Sequence, residues 1–276
     1  MNILAIARLT IRETQRRRIL WVGALMGIGF LIVYGLGFHF IYVDISQAMS
    51  PEEFRTPFLF LSLAGLYAAN FLVVMVAVLI SVATISGEIE SHTIESLLAK
   101  PLNRWELIIG KWLGFALIIL VYVIFLAGGI LLIVYLRSGF TLSNIPLGLS
   151  LIYLEGLVGL SLSIAGGTRL STLANGAMVF MLFGIAFVGG WVEQIGALFR
   201  NSTAVDIGIL TSLLMPTETL WRKATTIFEP QIGGGMDIAG PFIVAAQPSN
   251  AMIGYSVLYV IVLIALALWL FARRDI

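Results

Sequence analysis

Residues 86–112 read SGEIESHTIESLLAKPLNRWELIIGKW, and this stretch separates two long apolar runs. It holds seven charged side chains, whereas positions 56–85 and 113–136 hold none. A run of about 20 mostly apolar residues is long enough to cross a bilayer as a helix. The stretch is therefore predicted to be a polar connection between two membrane-spanning helices.

The composition of the whole chain indicates a membrane protein. Of its 276 residues, 59% are hydrophobic and only 11% are charged, and the mean hydropathy is +1.02. A soluble domain has about 25% charged residues, so this chain lacks the polar surface of one. The net charge of +1 implies no attraction to nucleic acid. The absence of cysteine excludes disulfides, thiol catalysis and cysteine metal sites.

Charge-free windows predict an all-α membrane protein with six transmembrane helices in a single domain, residues 1–276. The window 138–168 is interrupted once, by Glu155. The window 56–87 is longer than one crossing needs, so Gly87 is expected to bend its end. The six predicted spans are 19–43, 56–87, 112–136 with a start about one turn earlier, 138–168, 170–192 and, within the window 238–272, residues 252–272.

The distribution of Lys and Arg predicts that both termini are cytoplasmic. Cytoplasmic loops of membrane proteins carry an excess of these residues. With six spans, eleven basic residues lie on the side of the termini and of the 86–112 stretch, against five on the other side.

Residues 1–18 are predicted to form a cytoplasmic amphipathic helix. Arg8, Arg12 and Arg16 recur every four residues, and Leu4, Ala7 and Ile11 lie on another face. Two interpretations remain open. The helix lies on the anionic inner surface of the bilayer, or its arginines serve only to orient the chain.

The segment 193–251 is predicted to be a long outer loop with short helices in or above the outer leaflet. After Pro216, the sequence TETLWRKATTIF places apolar side chains on one helical face. That predicted face consists of Leu220, Trp221, Ala224, Ile227 and Phe228.

The opening stretch itself is predicted to be a helix, a break and a second helix. Ile94, Leu97 and Leu98 form an apolar ridge, and Pro101 ends their helix. Asn103, followed three residues later by Glu106, indicates a new helix beginning near Arg104. The ridge is either a docking element for a cytoplasmic partner or an interfacial helix resting on lipid.

Several kinds of chemistry are excluded. The chain has no G-x-x-x-x-G-K-[ST] phosphate loop, no H-E-x-x-H and no G-x-S-x-G. We therefore expect no ATP hydrolysis, no catalytic residues, no metal and no cofactor in this chain.

The motif in the opening stretch resembles the signature of the ABC-2 type permeases, the membrane halves of type V ABC transporters. The six-span layout and the long outer loop are similar as well. The residues that carry the motif are Glu88, Thr93, Ile94, Glu95, Leu97, Leu98, Pro101, Arg104, Trp105, Glu106, Leu107, Gly110 and Lys111.

The resemblance implies that residues 88–101 form a coupling helix that docks on a separate ATPase subunit. Two copies of that subunit would bind ATP and Mg, and their closure would drive transport. The N-terminal helix would brace the ATPase. The implied docking residues are Glu88, Glu90, Thr93, Ile94, Glu95, Leu97, Leu98, Lys100, Pro101 and Arg104.

The resemblance also implies a second permease chain, identical or different, with the pathway between the two chains and lined by the second and fifth spans. Asn70 and Asn175 fall in those spans. Glu155 is the third pathway candidate, because an ionised carboxylate in hydrocarbon is costly. Its other interpretation is structural, with Tyr122 or Ser161 as the partner.

These expectations describe an exporter subunit in the inner (plasma) membrane of a prokaryotic cell. Two alternatives belong to other classes. A membrane-embedded enzyme would need several catalytic polar residues at one membrane depth. A channel or carrier that works without ATP would need no cytoplasmic docking ridge.

Overall fold

The computed structural model describes residues 3–16, 18–48, 54–90, 103–228 and 247–274. Within these ranges the chain forms ten α-helices and no strands. Six of the helices are long and apolar enough to cross a membrane. The predicted fold class, an all-α membrane protein with six spans, is confirmed.

The helices are numbered here in chain order. They are α1 Ile3–Arg16, α2 Arg18–Ala48, α3 Arg55–Ser81, α4 Ile85–Glu90, α5 Arg104–Ser138, α6 Ile145–Gly167, α7 Thr172–Leu198, α8 Ser202–Leu214, α9 Thr217–Phe228 and α10 Ala251–Ala272.

The longest span, α5, begins where the sequence predicts a helix start. The backbone N–H of Asn103 donates to Oε2 of Glu106 at 3.3 Å. The helix has 35 residues, which at 1.5 Å per residue is about 50 Å. Because the hydrocarbon layer is about 30 Å thick, α5 extends beyond it. The charge-free window 112–136 is shorter than α5 because Arg104, Glu106 and Lys111 lie inside the helix, whereas the predicted helix start near Arg104 accounts for the extension.

Successive spans run in alternating directions. We call the end of the bundle at which α5 begins the proximal end, and the end at which α5 stops the distal end. At the proximal end, Arg104 Nη1 donates to the carbonyl of Arg274, just past α10, at 2.7 Å. At the distal end, the N–H of Ser143, just before α6, donates to the carbonyl of Phe228 at 2.9 Å.

The second span is interrupted between α3 and α4. Ser81 Oγ and Thr84 Oγ1 donate to the carbonyls of Ala77 and Ile80, at 2.6 and 3.2 Å. Such bonds back to the preceding turn often bend helices. The predicted bend at Gly87 is therefore wrong in position, because the break lies at 82–84 and α4 continues through Gly87.

The centre of the bundle consists of α3 and α6. Buried side chains cover most of both spans, whereas α2 and α10 are largely exposed at the periphery. Small residues on α6 allow close approach: a Cβ on Gly156 would lie 2.8 Å from Ile119 Cγ2 of α5. Helices in membranes commonly pack through such small residues.

Helix α1 packs against the proximal part of α5. Two glycines of α5 leave room for it: a Cβ on Gly110 would lie 2.6 Å from Ile6 Cβ, and one on Gly114 would lie 2.9 Å from the carbonyl oxygen of Ala7. The buried face of α1 is Ile6, Thr10 and Thr14. Leu4 of the predicted apolar face is 76% exposed and takes no part in this contact, and the placement of that face on the bilayer surface stays a prediction.

The threonines of α1 can form this buried face because their hydroxyls are satisfied within the helix. Thr10 Oγ1 donates to the carbonyl of Ile6 at 3.0 Å, and Thr14 Oγ1 donates to that of Thr10 at 2.7 Å. Their methyl groups remain for packing, and Thr10 Cγ2 lies beside Gly114. Arg8, Arg12 and Arg16 stay on the exposed side, as the stripe predicts.

Helices α7 and α8 form a close hairpin at the distal end. A Cβ on Gly208 would lie 2.3 Å from Glu193 Cβ, and one on Gly189 would overlap Thr211. Gly189 lies nine residues before the end of α7, which is about 14 Å along the helix. Helix α8 therefore returns along the membrane span instead of standing clear of it.

Helix α9 packs against α6 and α7 beside this hairpin. Its predicted apolar face is largely confirmed, since Leu220, Trp221, Ala224 and Phe228 are buried. The ring of Phe228 occupies the space beside Gly148 of α6, where a Cβ would lie 2.2 Å from it. The predicted short helices before the last span are confirmed as α8 and α9.

Replacing Gly114 by Ala should destabilise the contact between α1 and α5. The added Cβ meets the backbone oxygen of Ala7, so one of the two helices must move, at a cost of about 1–3 kcal/mol. Gly128→Ala on the same helix is the matched control, since nothing lies within 4 Å of its Cβ position. Thermal unfolding in detergent should rank Gly114→Ala below Gly128→Ala, and equal stability would contradict the packing.

Candidate functional site

The predicted docking helix 88–101 lies mainly outside the described residues. The structure describes the backbone of Glu88 and Glu90 within α4 and resumes at Asn103. The docking residues outside the described ranges are Thr93, Ile94, Glu95, Leu97, Leu98, Lys100 and Pro101. Their role stays a prediction.

Arg104 is the one docking residue whose side-chain contacts the structure describes, and it binds the end of α10. Its Nη1 donates to the carbonyls of Phe271, Ala272 and Arg274 at 3.4, 3.3 and 2.7 Å. A helix C-terminus has unpaired carbonyls and a partial negative charge, which a guanidinium stabilises. These hydrogen bonds satisfy the guanidinium of Arg104 within the chain itself, without a partner subunit.

Helix α4, which leads into the predicted docking helix, is attached to the start of α7. Ser86 Oγ and Thr172 Oγ1 are hydrogen-bonded at 2.9 Å. Ser86 Oγ also donates to the carbonyl of Val82 at 2.9 Å. This attachment, together with Asn175 of the same turn of α7, is called here the proximal joint.

Asn175 serves the proximal joint and does not line the cavity described below. Its Nδ2 donates to the carbonyl of Ser163 in α6 at 2.8 Å and to that of Val82 at 3.2 Å. The side chain is fully buried. It therefore holds together α6, α7 and the break before α4.

A cavity of about 370 Å³ lies between α2, α3, α6, α7 and α9, and two of the three pathway candidates line it. We call it the acidic cavity, because two carboxyl groups face it. Its lining residues are Phe30, Tyr67, Ala68, Asn70, Phe71, Leu72, Glu155, Phe183, Phe187 and Glu218.

Glu155 is 1% exposed and hydrogen-bonds with the side chain of Asn70. Among the described residues, Glu155 Oε2 and Asn70 Oδ1 have no hydrogen-bond partner. The structural partners suggested by the sequence are wrong: Tyr122 donates to the carbonyl of Gly23 at 3.0 Å, and Ser161 accepts from Trp112 at 2.9 Å.

Three ionisable residues beside the cavity escaped the sequence analysis. Arg222 of α9 and Glu193 of α7 form a buried ion pair, with Nη2 and Oε2 2.6 Å apart. Glu218 lies one turn before Arg222 and faces the cavity. The charge-free criterion ended the fifth span at 192, although α7 continues to Leu198. The sequence feature that could have indicated this cluster is the i, i+4 spacing of Glu218 and Arg222, which makes the two side chains neighbours on a helix.

Burial raises the pKa of Glu218 to about 7. Arg222 acts in the opposite direction and lowers this pKa, while the charge of Glu193 adds to the rise. Near neutral pH, Glu218 thus changes charge at the edge of the cavity. Within the described part of the chain, no three His, Cys, Asp or Glu side chains come together as a metal site.

Residues 4–276 match the family model described as "ABC-2 family transporter protein". The chain belongs to the ABC-2 transporter family. It is also similar to the "uncharacterized protein YhcI" of Bacillus subtilis (strain 168), with 24% identity over 222 residues, which are 76% of this chain and 67% of YhcI.

Membership in the ABC-2 family identifies the chain as a multi-pass membrane component of a transporter. In this ABC-2 protein, α7 connects the two regions described above. Thr172 and Asn175 belong to the proximal joint, and Phe183 and Phe187 line the acidic cavity. A displacement of α7 at the joint would therefore change the shape of the cavity.

Asn175→Ala should destabilise the ABC-2 protein. The change removes two hydrogen bonds to buried carbonyls, and each unsatisfied buried group costs about 1–3 kcal/mol. Asn250→Ala is the control, because that exposed amide makes no side-chain cap bond. Thermal unfolding in detergent checks the prediction. Equal midpoints for the two variants would show that Asn175 does not hold the joint.

Glu218→Gln should stabilise the protein more at pH 8.5 than at pH 4.5. Because the folded pKa is raised to about 7 from 4.5, the stability contributed by the neutral carboxyl is present at low pH and is lost as the pH rises through 7. Glutamine stays neutral, so the excess of its unfolding midpoint over the wild-type value should grow as the pH rises from about 4.5 to about 7 and level off above that. Asp206→Asn, at an exposed carboxylate on α8, should show no such difference.

Proposed function

We propose that the chain is the permease subunit of an ABC exporter that is driven by a separate ATPase subunit. The observation that carries this proposal is the family match across residues 4–276. Six spans account for the permease part. The sequence has no phosphate loop, so ATP and Mg would be bound by the partner.

The ATPase would dock on residues 88–101 at the proximal end, which faces the cytoplasm in this proposal. Basic residues support that orientation, since Arg8, Arg12, Arg16, Arg104 and Arg274 lie at this end or in α1. The host membrane would be the inner membrane of a prokaryotic cell.

The proximal joint supports a mechanical route from the docking segment to the spans. Helix α4 leads directly into residues 91–101, and Ser86 bonds to Thr172 at the start of α7. Asn175 ties that part of α7 to the carbonyl of Val82 at the break. Force applied by the ATPase to the docking segment would therefore reach α7 through this joint, in addition to α5, which begins just after the segment at Arg104.

A second permease chain, identical or different, would complete the pathway. In the single chain, α3 and α7 expose apolar side chains, among them Phe71 at 43% and Met181 at 69%. Such faces suit either lipid or a second chain. Placing α3 and α7 at the interface between the chains puts the acidic cavity beside the pathway, and two ATPase copies would serve the pair.

Leu97→Asp combined with Leu98→Asp should abolish co-purification of the ATPase subunit. The two changes replace the predicted apolar ridge by carboxylates, and buried charges without partners oppose docking. The measurement is affinity purification of the permease from membranes of cells that make both subunits, followed by quantification of the ATPase.

The matched control is Ser202→Asp combined with Thr203→Asp, which adds the same charge at exposed positions on the distal end. It should leave co-purification unchanged. Equal membrane content of both variants shows that insertion is intact. Retention of the ATPase by the Leu97 and Leu98 variant would contradict docking at this segment.

A further inference from the structure

We infer that the acidic cavity binds one amphipathic organic cation with an N–H donor, such as a protonated amine on an aromatic body. The inference deepens the proposed function, since regarding this ligand as a transport substrate rests on it. Binding itself requires only the described cavity.

Two hydrogen-bond acceptors of the cavity lining have no donor from the described part of the chain. Glu155 Oε2 and Asn70 Oδ1 are buried and have no partner among the described residues. Asn70 already bonds with Glu155 through its side chain, so the pair presents two adjacent acceptors to the cavity. Buried acceptors without donors are costly, and a ligand that donates to them removes this cost.

The charged side chains that line the cavity are acidic, which favours a cationic ligand. Glu155 and Glu218 both line the cavity, and none of its ten lining residues is Lys, Arg or His. The nearby guanidinium of Arg222 is held by Glu193, with 2.6 Å between Nη2 and Oε2. Glu155 thus has no cationic side chain of its own in the lining, and a positively charged ligand would supply the missing charge.

The rest of the cavity wall is mainly aromatic and aliphatic, which suits the apolar body of such a ligand. Five of the lining residues are aromatic, and the ring centroids of Phe71 and Phe183 lie 5.7 Å apart. Aromatic faces attract cations within about 6 Å. Ligand pockets are typically about 300–1,000 Å³ with apolar walls and few polar groups, and this cavity, at about 370 Å³, has that form.

The same features disfavour a metal ion. Calcium takes six to eight oxygen ligands, and magnesium requires an octahedral set. The lining offers two carboxyl groups and one amide among aromatic and aliphatic side chains. Its volume and apolar walls suit the body of an organic molecule, with its ammonium group directed at Glu155.

A ligand can reach the cavity from the side of the bundle. Phe71, at its edge, is 43% exposed, and Phe30 and Phe187 are only partly buried. The opening lies on the faces of α3 and α7 that carry exposed apolar residues. An amphipathic cation could therefore enter from the bilayer or from a space between two chains.

The test is equilibrium dialysis of the purified full-length chain in detergent micelles against 1-naphthylmethylamine, which is cationic at neutral pH. The neutral isostere 1-naphthylmethanol controls for partition into micelles. Wild-type protein should bind the amine at one saturable site and the alcohol at least about tenfold more weakly, since hydrogen bonds to charged groups contribute strongly.

Glu155→Gln preserves the shape of the side chain, and Glu218→Gln removes the second carboxyl. Each should weaken amine binding about tenfold or more, while Asp206→Asn should bind as the wild type does. The unfolding midpoint of each variant confirms that it is folded. Where Glu155→Gln does not fold, Glu218→Gln alone decides.

Three outcomes would overturn the inference: no saturable amine binding by wild-type protein, equal binding of the alcohol, or unchanged affinity in a folded Glu→Gln variant. The assay contains no ATPase. Retention of the ATPase by the Leu97 and Leu98 variant therefore contradicts the proposed function alone, whereas absence of amine binding contradicts the inferred ligand alone.

Discussion

The fold depends on one constraint: inside a hydrocarbon layer, each polar group needs a partner from the protein itself. Ser81 meets it by donating to a carbonyl of its own helix. The side-chain nitrogen of Asn175 meets it across three segments, and Arg222 bonds to Glu193. The contacts that satisfy these groups are also the contacts that fix how the helices are arranged.

The acidic cavity is one of the places where this constraint is not fully met. Asn70 and Glu155 satisfy each other only in part, although they lie in α3 and α6, the most buried spans. The inferred ligand site rests on these two open acceptors, which lie together in the lining of one cavity. The proximal joint and this cavity share α7, which links the end where ATP energy would arrive to the place where a ligand would bind.

The sequence predicted the end of α10 at Ala272 well, because the charged Arg273 follows directly, and the predicted start differs by one residue from Ala251. It failed where charges lie inside helices, because a charge-free criterion stops at Glu193 although α7 continues. It also did not predict that Thr10 and Thr14 of α1 are buried, since threonine counts as polar unless its hydroxyl is known to bond within the helix. Glu155 and Asn70 were found because they are polar within apolar runs, but their mutual contact needed the fold.

The ion pair between α7 and α9 sets an order for membrane insertion. A buried arginine without a partner is strongly destabilising, and Arg222 has its partner on α7. Since the ribosome delivers α7 first, we expect α9 to settle only onto a bundle that already presents Glu193. Glu218 arrives with α9, so a nascent chain that stops before residue 217 has all but one of the spans yet no complete acidic cavity.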